Sequence, residues 1–238
     1  MKDCLDEFKN RVEEVEKYFT LVSAIDKLET HKFNSLSLPD GDTCDVDSDL
    51  KKILKASCYL ILYNLIESSV RNGILAIYDA IHDDGLIYKD LNKNIQSIWL
   101  EYQSDSFTKL PITKKNVVKN IQEILNSVIE NLPIKLEKDK LNFLISGNLN
   151  AEKIEQIIRN YGFFGKITVD KKRVKYVLDH VVKMRCDLAH GNASFCQASS
   201  NKVMRELIEI KNDVITYLQD LLNNIDDYIQ QKKYKRSP

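Results

Sequence analysis

The stretch RVKYVLDHVVKMRCDLAHGNASF, residues 173–195, predicts an amphipathic helix followed by a tight turn. Its apolar residues recur at spacings of three and four, so they share one stripe that packs against a core. The stripe consists of Val174, Val177, Leu178, Val181, Val182, Met184 and Leu188. Gly191 directly follows His190, and a glycine in this place is typical of the left-handed residue that closes a helix. We therefore expect His190 at the C-terminal end of this helix.

Arg185 and His190 are the candidate catalytic pair of this stretch. An Arg is always charged and can hold a phosphate through two parallel hydrogen bonds, whereas a His titrates near neutral pH and can move a proton. The pair therefore suits cleavage of a phosphodiester. Basic residues near a helix C-terminus also occur simply because they complement the helix dipole.

The spacing of Arg185 and His190 limits how their side chains can meet. Five positions at about 100° each leave the two side chains roughly 140° apart around an ideal helix. They converge only if the helix end unwinds or if a second subunit brings its own pair alongside.

The string RCDLAHGNASF at the end of an apolar helix resembles the HEPN superfamily, and within it the MAE_28990/MAE_18760-like HEPN proteins. The upstream segments YLILYNLIESSVRNGI and LNFLISGNLNAEKIEQIIRNYGF add to the resemblance, which covers residues 50–222. Its sharpest part is the motif of Arg185, four residues and His190, followed by Gly191 and Ser194.

The resemblance implies an all-α bundle with long antiparallel core helices and small inserted segments. It also implies a homodimer in which two motifs face each other and form a metal-independent endoribonuclease site without a cofactor. RNA would be the substrate, the setting would be bacterial defence or a toxin system, and an antitoxin or an associated defence protein would be a further partner.

One residue departs from the family pattern. Members with nuclease activity usually carry a polar residue directly after the Arg, whereas this chain has Cys186 there and Asp187 one position later. A non-catalytic HEPN-like scaffold and a partner- or ligand-binding helical module therefore stay open. A catalytic motif predicts that Arg185 and His190 are exposed in a cleft, whereas a scaffold predicts that they form internal salt bridges.

For the nuclease alternative, the expected mechanism is attack of a ribose 2′-hydroxyl on its neighbouring phosphate, so DNA should be inert. His190 would act as general base or acid, and Arg185 would stabilise the charge that develops on the phosphate. Asp187, three residues before His190, is spaced to orient the imidazole. The other supporting residues would donate to substrate or complete the pocket. They are Asn192, Ser194, Glu67 and Asn64.

Composition bounds the class of protein. With 43% hydrophobic and 29% charged residues and only 7 Gly and 4 Pro in 238 residues, long helices are favoured over a sheet. The formal net charge is zero, so RNA contact has to come from a local patch. No apolar run spans a membrane, and the first residues are too charged for a signal peptide, which predicts a cytoplasmic protein. Five scattered Cys and four separated His argue against a disulfide framework and a metal site.

The pattern along the chain predicts one domain over residues 1–238, with an N-terminal helix at 1–30, a loop at 31–48, a core at 49–234 and a tail at 235–238. The apolar helix at 49–82 is the expected spine, and on one of its faces Glu67 forms an ion pair with Arg71 or belongs to the site. Further helices are predicted at 86–102, 116–131, 151–161 and 199–234. Short strands are allowed within LNFLISG and FFGKITVDKK.

Overall fold

A computed structural model of the chain describes residues 1–28, 35–37, 41–108, 113–134, 136, 148–201 and 203–236. The chain is all-α, as predicted, apart from one short hairpin. The helices are α1 (Lys2–Asp26), α2 (Ser48–Asp83), α3 (Lys93–Thr108), α4 (Lys114–Ile129), α5 (Ala151–Tyr161), α6 (Lys171–Ala189), α7 (Phe195–Ala198) and α8 (Met204–Gln230). The hairpin pairs strands β1 (Ser35–Ser37) and β2 (Thr43–Asp45) in antiparallel register. A 3-10 turn at Tyr88–Asp90 precedes α3.

Helix α2 forms the centre of the bundle because apolar residues cover most of its circumference. Helices α1, α6, α7 and α8 all pack against it. Other helices cover most of the surface of α2. Side chains of α2 can therefore contact the motif helix α6 inside the core.

Interhelical contacts show the direction of the two long neighbours of α2. Helix α1 runs antiparallel to it, since Asp26 pairs with Lys55 while Arg11, fifteen residues earlier, donates to Asn64. Helix α8 runs in the same direction as α2: the leucine and isoleucine at 222 and 225 lie against Gly73, and Lys232 beyond the end of α8 pairs with Asp84 beyond the end of α2. The motif helix α6 is antiparallel to α8.

Local sequence predicts an N-cap at Asp47 or Ser48 for α2, an N-cap at Asn150 for α5, and Gly162 as the end of α5. The structure confirms these ends, with Asp47 as the cap of α2. Asp47 accepts a hydrogen bond from the Leu50 amide at 2.7 Å at the start of α2, and Asn150 accepts one from the Lys153 amide at 2.9 Å at the start of α5. Gly162 ends α5 in the left-handed region with φ +82°. These ends depend on groups within four residues along the chain, which is why the sequence revealed them.

The boundaries of α3 differ from the prediction of a helix at 86–102. It begins only at Lys93, where Asn92 Oδ1 accepts a hydrogen bond from the Ile95 amide at 2.9 Å. It continues to Thr108 through the Ser-Asp-Ser segment that we expected to be a loop. The intrinsic penalty for Ser and Asp in a helix is only about 0.5 kcal/mol per residue. Such a penalty is too small to end a helix by itself.

The prediction of one long helix at 199–234 is wrong at both ends. A short helix, α7, precedes the true start of α8, and the buried Ser199 hydroxyl donates to the Lys52 carbonyl of α2 at 2.7 Å. After α8 the chain folds back, and Tyr234 is only 2% exposed. Lys232 and Lys235 both pair with Asp84, so the basic segment 232–235 is an ion-paired part of the fold rather than a solvated end. Hydrogen bonds from these lysines hold the pKa of Asp84 well below its usual range.

The face that α4 turns toward the core also differs from the prediction. Ile121 and Leu125 were expected to face inward but are 45% and 51% exposed. The half-buried apolar residues of the helix are Val117, Ile124 and Val128. The outward residues, here called the α4 stripe, are Val118, Ile121, Leu125 and Ile129. Helix α4 therefore carries two adjacent apolar stripes, and periodicity alone does not show which of them packs.

The remaining expectations concern short segments. The 163–170 part of FFGKITVDKK is irregular rather than a strand, whereas LNFLISG lies outside the described residues. The loop expected at 31–48 contains the β1–β2 hairpin, and its residues 31–34 and 38–40 also lie outside the described part. Among the described residues, no helix is both long enough and apolar enough to cross a membrane.

Candidate functional site

The motif helix ends as the sequence predicted. Helix α6 is regular to Ala189, and His190 is its capping residue, whose amide donates to the Cys186 carbonyl at 3.0 Å. Gly191 has φ +70°, in the left-handed region that a side chain with a Cβ rarely adopts. The helix end therefore does not unwind, and Arg185 and His190 leave α6 on different sides.

Arg185 is held by two residues that are distant in sequence. Its guanidinium carbon lies 4.5 Å from the centre of the Tyr63 ring on α2, a cation–π contact. Its Nη1 donates to Asn148 Oδ1 at 3.3 Å. The Cys186 thiol donates to the same oxygen at 3.0 Å. Tyr63 and Asn148 thus orient the guanidinium, and analysis of the sequence missed both.

The charge environment of Arg185 is unlike that of most arginines in the chain. Five others pair with a carboxylate: Arg11, Arg71, Arg159, Arg173 and Arg205. No carboxylate pairs with Arg185 within the described residues. Its positive charge is therefore oriented but not neutralised.

The Tyr63 side chain lies between the motif and a carboxylate of α2. Burial raises the pKa of Tyr63, and the carboxylate of Glu67 one turn later raises it further, so the phenol stays protonated near neutral pH. Glu67 itself pairs with Arg71 at 3.1 Å, which confirms the predicted ion pair. Glu67 thus lies beside Tyr63, one residue removed from the guanidinium of Arg185.

His190 is exposed. In the part of the chain that the structure describes, its imidazole makes no hydrogen bond, ion pair or ring contact. Arg185 is half-buried. Neither residue forms the internal salt bridge that a purely structural motif predicts.

The supporting residues have contacts of their own in this chain. Asp187 pairs with Lys183 and is hydrogen-bonded by Asn192, and these contacts, that with Lys183 first, lower its pKa. Its carboxylate therefore contacts Lys183 and Asn192 rather than His190. The orienting role of Asp187 stays a prediction.

Ser194 and Asn64 are also engaged elsewhere. Ser194 caps α7, where its hydroxyl accepts from the Gln197 amide at 3.2 Å and its own amide donates to Gln197 Oε1 at 2.9 Å. Asn64 is exposed and accepts a hydrogen bond from Arg11 of α1 at 3.0 Å. Their predicted roles toward substrate are neither supported nor contradicted by these contacts.

A metal-binding arrangement would need several His, Cys, Asp or Glu side chains in one place. No group of three or more such residues lies close enough to hold an ion within the described ranges.

Comparison with known proteins gives one match. A family model for HEPN_MAE_28990-like HEPN proteins matches residues 2–234. No curated protein and no solved structure is significantly similar to the chain.

Proposed function

The chain belongs to the HEPN_MAE_28990-like HEPN family, and on this premise we propose that it is a metal-independent endoribonuclease of bacterial defence or toxin type. It acts in the cytoplasm as a homodimer, with an antitoxin or an associated defence protein as its further partner. The catalytic residues are Arg185 and His190.

The reaction is a transesterification within RNA. The 2′-hydroxyl of a ribose attacks the adjacent phosphorus, the bond to the 5′-oxygen of the next nucleotide breaks, and the products are a 2′,3′-cyclic phosphate and a 5′-hydroxyl. His190 removes the proton from the 2′-hydroxyl or gives one to the leaving 5′-oxygen. Arg185 donates hydrogen bonds to the non-bridging oxygens as negative charge builds on them.

The observation that carries this proposal is the state of Arg185. Its guanidinium is oriented by Tyr63 and Asn148 yet has no carboxylate partner among the described residues. The exposed His190 follows at the end of the same helix. An oriented, unneutralised cation near an exposed imidazole is what phosphodiester cleavage needs, whereas a structural arginine gains most from an ion pair.

The regular end of α6 supports the dimer. Because the helix does not unwind before Ala189, Arg185 and His190 of one chain stay about 140° apart around the axis. A second copy that places its own motif opposite would supply the missing half of each site.

The test is cleavage of a mixed RNA pool in the presence of EDTA by the wild type, Arg185→Ala and His190→Ala. We expect each variant to lose at least about 100-fold in rate. The matched controls are His82→Ala and Arg173→Ala. His82 is an exposed His in the last turn of α2, and the guanidinium carbon of Arg173 lies 5.4 Å from the Tyr176 ring centre, a contact similar to that of Arg185. These controls should retain the wild-type rate, and substrates with a 2′-deoxyribose at the cut site should resist cleavage.

Folding and dimerisation of every variant are checked by circular dichroism and by size. Equal loss of activity in the His82 and Arg173 controls would contradict the assigned roles. A folded wild type that is inert after removal of any bound inhibitor would contradict the nuclease itself.

One observation favours a second candidate, a non-catalytic scaffold. Cys186 occupies the position after Arg185, and both side chains donate to Asn148, which lies shortly before α5. In that case the cluster only fixes the segment that leads into α5, two residues before its N-cap Asn150, against α6. Arg185→Ala would then lower the melting temperature, and no RNA cleavage would be seen in any variant.

A further inference from the structure

A cavity of about 910 Å³ lies at the other end of α6, between α5, the segment 163–170 and α8. Asp170 and Lys171 at the start of α6 line it, about 22 Å along the helix from Arg185. Its apolar walls come mainly from Ile158, Phe163, Phe164, Ile167, Val174 and Tyr217. The volume is that of a site for a small molecule, and the cavity shares no lining residue with the motif.

The wall formed by segment 163–170 is fixed to α8. Asn224 Nδ2 donates to the Lys166 carbonyl at 3.2 Å, and Asp220 accepts a hydrogen bond from the Thr168 amide at 2.7 Å. A Cβ on Gly165 would lie 1.9 Å from Asn224 Oδ1, so any larger residue would have to displace the Asn224 amide that holds the Lys166 carbonyl. The cavity is therefore built into the fold.

Tyr217 contributes a polar group to the wall of this cavity. The residue is 5% exposed, and its hydroxyl has no hydrogen-bond partner within the described residues. Buried tyrosine hydroxyls usually have one. Burial, and then the charge of Glu155, raises the pKa of Tyr217, so the hydroxyl keeps its proton and can donate a hydrogen bond to a ligand.

The charges around the cavity nearly cancel. Arg159 and Lys171 share the carboxylate of Glu155, at 3.6 Å and 2.7 Å. Lys175 pairs with Asp179 at 2.9 Å. Lys171 is 85% exposed, so its side chain can turn from Glu155 toward a bound anion at little cost. This arrangement disfavours a multiply charged ligand and tolerates a single negative charge.

We propose that this cavity binds a small planar aromatic molecule that carries a hydrogen-bond acceptor and at most one negative charge. The rings of Phe163, Phe164 and Tyr217 supply faces and edges for aromatic contact. The Tyr217 hydroxyl supplies the donor. This proposal does not depend on ribonuclease activity, because none of its residues belongs to the motif.

The first experiment is a fluorescence titration of the full chain with 1-anilinonaphthalene-8-sulfonate, an aromatic monoanion. We expect one saturable site per chain. Thr168 lines the cavity and is exposed, so Thr168→Trp puts a large side chain into the cavity. This variant should abolish binding of the dye. Tyr217→Phe removes only the hydroxyl and should weaken binding about three- to tenfold. Leu125→Ser in the exposed α4 stripe is the matched control for nonspecific binding of the dye to an exposed apolar surface. This variant should leave binding unchanged.

The second experiment tests the class of ligand by displacement of the dye. Indole-3-carboxylate should displace it at a concentration about three- to tenfold lower than hexanoate, which has the same charge but no ring. Equal displacement would overturn the aromatic part of the proposal. Full binding by Thr168→Trp, or loss of binding in Leu125→Ser, would overturn the site itself.

Discussion

Arg173 and Arg185 lie at opposite ends of α6, and the guanidinium of each lies over a tyrosine ring, at 5.4 Å from Tyr176 and 4.5 Å from Tyr63. Their second contacts differ. Arg173 Nε bonds to Asp213 of α8 at 2.6 Å, whereas Arg185 Nη1 bonds to the uncharged Asn148 at 3.3 Å.

The difference separates a structural arginine from one available to an external anion. A carboxylate partner neutralises the guanidinium and occupies its donors, whereas an amide oxygen orients it and leaves the charge in place. The N-terminal end of α6 is therefore joined to α8, and the C-terminal end keeps an uncompensated positive charge.

The largest effect is expected when Arg185 receives a carboxylate partner, as Arg173 has. Asn148→Asp should create an ion pair with it and slow RNA cleavage about 10- to 100-fold, because the pair competes with the phosphate. Stability should be unchanged or slightly higher. Asn223→Asp, which places a carboxylate on the exposed face of α8 instead, is the matched control and should cut RNA at the wild-type rate. Equal rates for wild type and Asn148→Asp would show that the charge of Arg185 is not used.

Two variants of Tyr63 distinguish the effect of its aromatic ring from the effect of its hydroxyl. Tyr63→Leu removes the aromatic face and should lower the cleavage rate about tenfold, since a cation–π contact of about 0.5–2 kcal/mol no longer orients the guanidinium. Tyr63→Phe keeps the face and should stay within about threefold of the wild type. Rates measured under single-turnover conditions check both. A larger loss in Tyr63→Phe than in Tyr63→Leu would assign the effect to the hydroxyl.

At the N-terminal end, loss of the cap should change stability alone. The Asp170 carboxylate accepts hydrogen bonds from the amides of Lys172 and Arg173 at 2.9 Å and 3.3 Å. Asp170→Ala should lower the free energy of unfolding by about 1 kcal/mol. Urea unfolding measures this change, and the cleavage rate of the folded variant should match that of the wild type. A parallel loss of activity would contradict the separation of the two ends.

The smallest effect is expected where Arg173 loses its carboxylate. Asp213→Asn removes the charge from a pair that is about one-third exposed, so the free energy of unfolding should fall by about 0.2–1 kcal/mol. RNA cleavage should not change. A gain of RNA binding by Asp213→Asn would show that the ion pair with Asp213 normally prevents Arg173 from binding RNA at the N-terminal end of α6.

Local patterns were enough to predict much of the fold. The apolar circumference of α2, the caps at Asp47 and Asn150, and the left-handed glycine after His190 all depend on residues within about four positions along the chain. The same reasoning identified Arg185 and His190 as neighbours near a helix end. It also predicted the Glu67–Arg71 pair, because i,i+4 residues meet on any helix.

Other features were decided only when distant parts of the chain packed together. The cradle of Arg185 joins Tyr63, Asn148 and α6 across 37 or more positions, and no periodicity encodes such a contact. The segment 232–236 is held in place because two lysines meet Asp84, about 150 positions earlier. Sequence by itself therefore determined the helices, most of their ends and the motif. Only the tertiary structure decided which arginine is neutralised and which is left charged, because ion pairs between helices depend on how those helices are placed.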